Sequence, residues 1–132
     1  MKIRKNRQSG FIEAVAMLLG LVMSVGLLSL NSARAKSRDA KRLADIRMLA
    51  SANELYFNDK ISYPEQLEQL TPMYIGVIPK PPEPQDGVCS SEQNKYNYFR
   101  LTPENYQLTF CLGQSTGGYL AGVHTLTQKG IE

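Results

Sequence analysis

The sequence contains too few histidines and cysteines to build a conventional metal or catalytic centre. His124 is the only histidine, and this excludes sites that need several imidazole ligands. A Gly-Lys-Ser/Thr phosphate loop and a Cys-X-X-Cys pair are also missing. His124 falls in a predicted strand, where a surface or hydrogen-bonded histidine is the ordinary interpretation. We therefore predict that the chain is not an enzyme, binds no metal or other cofactor and has no small-molecule substrate.

Positive charge is concentrated at the N-terminus. The 132-residue chain has a formal net charge of +3, but residues 1–10 contain Lys2, Arg4, Lys5 and Arg7. Without residues 1–10 the chain has 11 basic and 12 acidic residues, a net charge of −1. The basic character belongs to this short leader and is poor evidence for nucleic-acid binding.

Residues 11–30 form a long apolar run whose only charge is Glu13. Twenty helical residues span about 30 Å, which matches the hydrocarbon core of a bilayer. A cleaved secretory signal is the alternative, because the small residues that follow, 32–35, resemble a cleavage site. The apolar region of such a signal is usually shorter, about 7–15 residues. We therefore predict a membrane-spanning helix over residues 11–30.

Residues 31–60 contain neither proline nor glycine and are rich in good helix formers, so the helix is predicted to continue to Lys60. Its two faces differ in polarity. The predicted apolar stripe consists of Leu43, Ile46, Leu49, Ala50, Tyr56 and Phe57. The opposite, charged face is predicted to be solvated and consists of Arg38, Asp39, Lys41, Arg42, Asp45 and Arg47.

Residues 61–132 have the pattern of a small globular domain. Pro64 ends the helix, residues 66–70 suit one short helical turn, and five prolines in residues 71–84 predict a rigid connector. Three β-like runs follow at residues 96–100, 106–112 and 119–126. The predicted fold class is α+β, with the long N-terminal helix packed on a small antiparallel sheet of three strands.

The order of these features resembles bacterial type IV pilins and type II secretion pseudopilins. The resemblance lies in the basic leader, in residues 9–11 (Ser-Gly-Phe), in Glu13 within an apolar helix and in the block 29–42. Residues 45–59, Ser-Tyr-Pro at 62–64 and residues 70–79 are similar to the helix end and following loop of these families. The resemblance covers most of the chain and is strongest for residues 29–80. The resemblance implies a pilin-like fold and a filament subunit.

Carried onto this sequence, the resemblance implies that a prepilin peptidase cuts between Gly10 and Phe11. Phe11 then becomes an N-methylated mature N-terminus, and Glu13 is the carboxylate of the assembly helix. One departure is clear: the family's glutamate stands four residues after this phenylalanine, whereas Glu13 stands two after it. Either the register of assembly differs from that of the family, or this subunit assembles by a modified rule.

A carboxylate in hydrocarbon needs a partner. The free amine of Phe11 on a neighbouring subunit would pair with Glu13 and so favour one register between subunits. The alternative is that Glu13 lies near the lipid headgroups and is hydrated. Ala16, Gly20 and Ser24 lie four residues apart and are predicted to let helices approach closely.

Basic residues lie on both sides of the apolar run, so the positive-inside rule does not decide orientation. The resemblance implies a cytoplasmic N-terminus in the inner membrane and, after assembly, an extracellular pilus on the cell surface. This orientation puts Cys89 and Cys111 in an oxidising space, which predicts one disulfide; two free thiols are the alternative.

The leading functional prediction is a pilus filament subunit for adhesion, twitching motility or DNA uptake. Its partners would be copies of itself, the prepilin peptidase and the pilus assembly machinery. A type II secretion pseudopilin and a solitary signal-anchored ligand-binding protein are the alternatives. A weaker alternative is calcium binding by Glu83, Asp86 and Glu92, whose spacing is not diagnostic.

Overall fold

The computed structural model describes residues 7–132, without the side chains of residues 7, 25, 27 and 28. The predicted leader residues Lys2, Arg4 and Lys5 lie outside the described residues. Helix α1 spans Arg7–Lys60 and is followed by a short 3₁₀ helix, Leu67–Leu70. The strands are β1 (Asn97–Thr102), β2 (Asn105–Leu112), β3 (Gly122–Thr127) and β4 (Gly130–Ile131).

Helix α1 ends where the sequence predicts and begins four residues earlier. Its C-terminus at Lys60 is followed by Ile61, whose φ of 56° lies in the left-handed region, and Pro64 follows shortly after. At the other end, residues 7–10 contain no proline and therefore extend the helix. The short turn predicted at residues 66–70 is confirmed as the 3₁₀ helix.

The chain divides into two compact units, Met1–Arg34 and Ala35–Glu132, and α1 contributes to both. The first unit, as far as it is described, is helical, and its apolar side chains are exposed. It contains a helical segment that, by length and composition, is long and apolar enough to cross a membrane. A single-pass membrane protein is compatible with this finding.

The second unit contains a four-stranded antiparallel sheet in the order β1-β2-β3-β4. A tight connection after Thr102 joins β1 to β2, with Tyr98 opposite Leu108, and β2 pairs with β3 through Phe110 and His124. The three predicted strands are confirmed. The sequence analysis missed β4 because two residues, Gly130 and Ile131, are too short a run to show alternation.

The apolar face of α1 in this unit covers the sheet, as predicted. Leu43, Ile46 and Leu49 are buried in one cluster with residues of β2 and β3. Ala50, Tyr56 and Phe57 pack against the same cluster at its margin. The sheet residues of the cluster are Tyr106, Leu108, Phe110, Leu112 and Leu126. The α+β fold class with a long N-terminal helix is therefore confirmed.

The prediction of a solvated charged face is wrong for half of its members. Asp39, Arg42 and Asp45 are at most 1% exposed, and Arg38 is half-buried. Their side chains are covered by the segment that precedes β1 and by the turn that follows β2, to which they are hydrogen-bonded. Lys41 and Arg47 are exposed, as predicted.

The proline-rich segment, residues 71–84, contains no helix or strand, as predicted. It is joined to the rest of the unit at both ends. The amide of Tyr74 donates to the carbonyl of Leu70 at 2.9 Å, and the carbonyls of Pro82 and Pro84 accept from Arg42. The segment is therefore a connector laid over α1.

Candidate functional site

The apolar segment of α1, residues 11–30, presents exposed hydrophobic side chains, and the sequence predicts that it spans a membrane and forms a filament core. Phe11 is 72% exposed, and Met17, Leu18 and Leu21 are also exposed. Glu13 lies on the same helix and is exposed, with no hydrogen bond or ion pair to another described side chain. An apolar surface of this extent on a helix needs lipid or protein to cover it.

The predicted cleavage and methylation residues, Gly10 and Phe11, are both exposed and lie inside α1. A Cβ atom added to Gly10 would meet no atom within 4 Å. The packing of the described chain therefore does not require glycine at this position. The assignments of cleavage and methylation stay predictions.

The predicted helix-packing residues Ala16, Gly20 and Ser24 are exposed and share one face of α1. A Cβ atom on Gly20 would meet nothing within 4 Å, so the face is open to an approaching helix. The hydroxyl of Ser24 donates to the carbonyl of Leu21 at 2.8 Å, which satisfies this polar group inside the helix. Such a face is compatible with close helix packing in an apolar environment.

Arg42 is the centre of a buried ionic cluster that the sequence analysis missed. Its guanidinium donates to Asp39 Oδ1 at 2.9 Å and to Asp86 Oδ2 at 3.1 Å. It also donates to the carbonyl of Pro82 and to Asn94 Oδ1, at 2.9 and 3.1 Å. The charge is therefore both paired and hydrogen-bonded, which is what a buried guanidinium requires.

Asp39 links this cluster to the sheet. Its two carboxylate oxygens accept hydrogen bonds from the backbone amides of Gly113 and Gln114, at 3.0 and 2.9 Å, just after β2. Because Arg42 pairs with the same carboxylate, α1 is held to the end of β2 by charge-assisted bonds.

Asp86 links the cluster to the loop before β1. Arg38 forms a two-point hydrogen bond with it, Nε at 2.8 Å and Nη2 at 2.5 Å. The Arg38 hydrogen bond, with a further one from Arg42, lowers the pKa of the Asp86 carboxyl below its ordinary value, while burial opposes this. The ionised carboxylate is therefore the form that the fold selects.

A second polar contact lies one turn further along α1. Asp45 accepts from Lys41 at 2.9 Å and from the hydroxyl of Tyr96 at 2.9 Å. Burial, together with the hydrogen bond to Asp45, raises the pKa of the Tyr96 hydroxyl. Tyr96 therefore acts as a neutral donor that ties the start of the sheet to the helix.

The predicted disulfide between Cys89 and Cys111 is confirmed, with a Cα–Cα distance of 6.0 Å. Both cysteines are close in sequence to residues that bond to the ionic cluster. Cys89 follows Asp86 by three residues, and Cys111 precedes Gly113 by two. The disulfide therefore joins the two segments that supply partners to Asp39 and Arg42.

The calcium alternative loses its central ligand, because Asp86 is engaged by two arginines. Glu83 and Glu92 are exposed. Within residues 7–132 no group of three or more acidic, histidine or cysteine side chains is placed to hold a metal ion.

Residues 113–117 read Gly-Gln-Ser-Thr-Gly, a pattern shared with hydrolase nucleophile loops. The geometry does not match that site, because these residues follow a strand and lead into another strand instead of a helix. Ser115 Oγ accepts from the amide of Ala121 at 3.3 Å. The ring nitrogens of His124 lie 2.7 Å from the carbonyl oxygen of Leu120 and 3.3 Å from that of Glu132, as expected of a hydrogen-bonded structural histidine.

Comparisons with protein-family models, with curated proteins and with solved structures found no match to this chain. The features of the chain that bear on its function are therefore the exposed apolar helix segment and the disulfide-linked unit.

Proposed function

We propose that this chain is a structural subunit of a type IV pilus-like filament. The main supporting observation is that α1 has two different parts. Its first part is apolar and exposed, and its later residues pack against a disulfide-linked β domain. Such a segment is covered by lipid before assembly and by the same segment of neighbouring copies afterwards. Burial of apolar side chains and close packing at small residues supply the driving force in the filament.

In this proposal the disulfide-linked unit stands outside the bundle of apolar helices. Its buried ionic cluster and disulfide hold the loop and sheet to α1 under load. The subunit is synthesised as a single-pass inner-membrane protein with a cytoplasmic N-terminus and ends in an extracellular pilus. The function of the filament is mechanical: adhesion, twitching motility or DNA uptake.

Processing by a prepilin peptidase between Gly10 and Phe11, followed by N-methylation of Phe11, supplies a positive charge at the start of the mature helix. That amine pairs with Glu13 of a neighbouring copy and selects one register, because an unpaired carboxylate in an apolar bundle is unfavourable. The bond between Gly10 and Phe11 lies within a helix, so cleavage requires local unwinding.

Electron microscopy of sheared surface material, with an antibody to residues 35–132, tests the proposal. We expect long filaments that carry the antibody along their length. Short filaments confined to the periplasm would favour a secretion pseudopilin, and a membrane-bound monomer would favour a solitary anchored protein. N-terminal sequencing of the assembled chain tests processing, with methylated Phe11 as the expected first residue and Met1 as the contradicting one.

The register role of Glu13 is tested by Glu13→Ala in cells that assemble the wild-type filament. We expect far fewer filaments at an equal amount of membrane-bound subunit. Glu83→Ala is the matched control, because it removes an exposed carboxylate that lies outside α1. An unchanged filament number in Glu13→Ala would contradict the register role.

A further inference from the structure

A shallow apolar groove of about 400 Å³ lies in the second unit, between α1 and the residues that follow the 3₁₀ helix. Met48, Ala52 and Leu55 form its helical wall, and Tyr74 and Ile75 form the other. Met48 and Leu55 are 48% and 54% exposed. The groove is thus an open apolar surface that the fold of its own unit leaves uncovered.

Arg47 is the one charged residue that lines this groove. It is exposed, and none of the hydrogen bonds or ion pairs among the described side chains involves it. The other arginines of α1 in this unit, Arg38 and Arg42, are both paired with Asp86. An occupant that complements the groove therefore presents an apolar helix face with one negative charge.

The apolar segment of the chain has these properties. The groove residues of α1 lie at 47, 48, 51, 52 and 55, a spacing that defines one helix face. Residues 13, 14, 17, 18 and 21 have the same spacing, and Glu13 is the sole charge between residues 11 and 30. Met17, Leu18 and Leu21 are 72%, 62% and 65% exposed.

When Glu13 of one copy is set level with Arg47 of another, and the helices run parallel, side-chain sizes are complementary. Ala14 lies level with Met48, and Leu18 lies level with Ala52, so a large residue meets a small one in both layers. A third layer, Met17 with Ser51, has the same large-with-small pattern, and the fourth, Leu21 with Leu55, brings two leucines together. The contact joins two different surfaces of the chain, and such a heterologous contact can repeat along an open-ended filament.

We infer that the groove beside Arg47 receives the apolar segment of a second copy of this chain, with Glu13 of that copy paired to Arg47. The inference rests on the proposed filament function and adds a defined contact to it. A carboxylate has room for two donors, so a neighbouring amine and Arg47 are compatible partners of Glu13. The register difference of 34 residues sets the two copies about 51 Å apart along the helix axis, at about 1.5 Å per residue.

Cysteine cross-linking in sheared filaments tests this register. The variant combines Met17→Cys with Ser51→Cys, and a short bis-maleimide is added to the intact filament. We expect a ladder of covalent multimers in denaturing gels. The control combines Met17→Cys with Val123→Cys, because Val123 is exposed on β3 and lies outside the groove. Multimers that form equally with Val123→Cys, or none with Ser51→Cys, would overturn the inference.

A charge substitution at Arg47 tests the ion pair without cross-linking and leaves Glu13 and its amine partner unchanged. Arg47→Glu is expected to reduce filament number at least tenfold, whereas Arg47→Lys, which keeps the positive charge, is expected to retain most of it. Arg47→Glu changes an exposed side chain, and an intact Cys89–Cys111 disulfide together with unchanged membrane levels reports correct folding. An unchanged filament number in Arg47→Glu would contradict the pairing.

The two proposals fail in different ways. Met17→Cys/Ser51→Cys filaments that form without the 17–51 cross-link, or wild-type filaments that have no neighbour at about 51 Å in a helical reconstruction, overturn the groove contact and leave the filament function standing. Wild-type cells without any filament that contains this chain overturn the filament function and the groove contact together.

Discussion

Arg42 carries a full positive charge at a position that is 1% exposed. Removing an ion from water is costly, and only paired charges and hydrogen bonds offset that cost. Asp39 and Asp86 supply the charges, and two proline carbonyls and Asn94 supply further acceptors. The main effect of the cluster is therefore to select which loop and which strand end lie against α1. Its contribution to net stability is smaller.

Arg42→Ala is the sharpest test of this cluster. The substitution leaves Asp39 and Asp86 buried with fewer compensating donors, so we expect the free energy of unfolding to fall by about 3–5 kcal/mol. Urea unfolding of the full chain in a non-ionic detergent, followed by tyrosine fluorescence, measures it. Arg47→Ala is the matched control on the same helix and is expected to change stability by less than about 0.5 kcal/mol. Equal losses in the two variants would contradict a special role for Arg42.

Asp86 makes stability depend on pH in the acid range. The Arg38 hydrogen bond holds the pKa of the folded Asp86 carboxyl below its ordinary value of 3.8. The stabilisation is therefore complete above the ordinary value and is lost as the pH falls through the lower, folded-state pKa. We expect the free energy of unfolding to decrease from about pH 5 downward.

The Asp86→Asn variant isolates this contribution. Because an amide does not titrate, the variant is expected to be less stable at neutral pH and to lose less stability on acidification. Glu83→Gln, a change at an exposed carboxyl of the same loop, should leave the wild-type pH profile intact. Profiles of equal slope for wild type and Asp86→Asn would refute the assignment.

At the residue scale, the spacing of the charged residues along α1 indicated that some of them are buried, although their polarity favoured exposure. Asp39 and Arg42 share one helix face with Ala35, Ile46 and Leu49, at separations of three and four residues. That spacing places them on the buried face, but nothing in the sequence identifies their partners outside α1, which lie 40–75 residues away. The structure was needed to locate Asp86 and the amides after β2.

At the scale of elements, local rules predicted most of the architecture. Proline positions predicted the end of α1 and the irregular connector, and runs rich in aromatic and β-branched residues, separated by turn residues, predicted β1 to β3. What local rules did not predict is the contact between elements. The turn that follows β2 and the loop at Gly87 approach so closely that a Cβ atom on Gly113 would lie 2.3 Å from the carbonyl oxygen of Asp86.

Gly113→Ala tests this close approach. The added methyl group meets backbone and Cβ atoms of Asp86, which cannot move aside as a flexible side chain would. We expect a loss of about 1–3 kcal/mol in the free energy of unfolding, typical of an overpacked interior. Gly76→Ala is the control, since its Cβ atom meets nothing within 4 Å. A Gly113→Ala variant as stable as Gly76→Ala would show that the two segments separate at little cost.

At the scale of the whole molecule, the two units carry different parts of the proposed function. All residues of the hydrophobic cluster lie at or beyond Leu43, and the ionic cluster begins at Arg38. None of the described residues of the first unit, 7–34, belongs to either cluster. An exposed apolar surface of this kind needs lipid or protein to cover it, and a single sequence therefore predicted a membrane segment more readily than an assembly.

Removal of residues 1–34 therefore leaves a unit that has its complete core, disulfide and ionic cluster. We expect residues 35–132, produced in an oxidising compartment, to be a soluble, cooperatively folded monomer, whereas the full chain requires detergent. Size-exclusion chromatography with light scattering and thermal unfolding measure both properties. The fragment has the groove beside Arg47 but lacks the segment that we assign to it. Self-association of the fragment through Met48 and Leu55 would show that the groove pairs with another groove, and the assignment of residues 13–21 as its occupant would then be wrong.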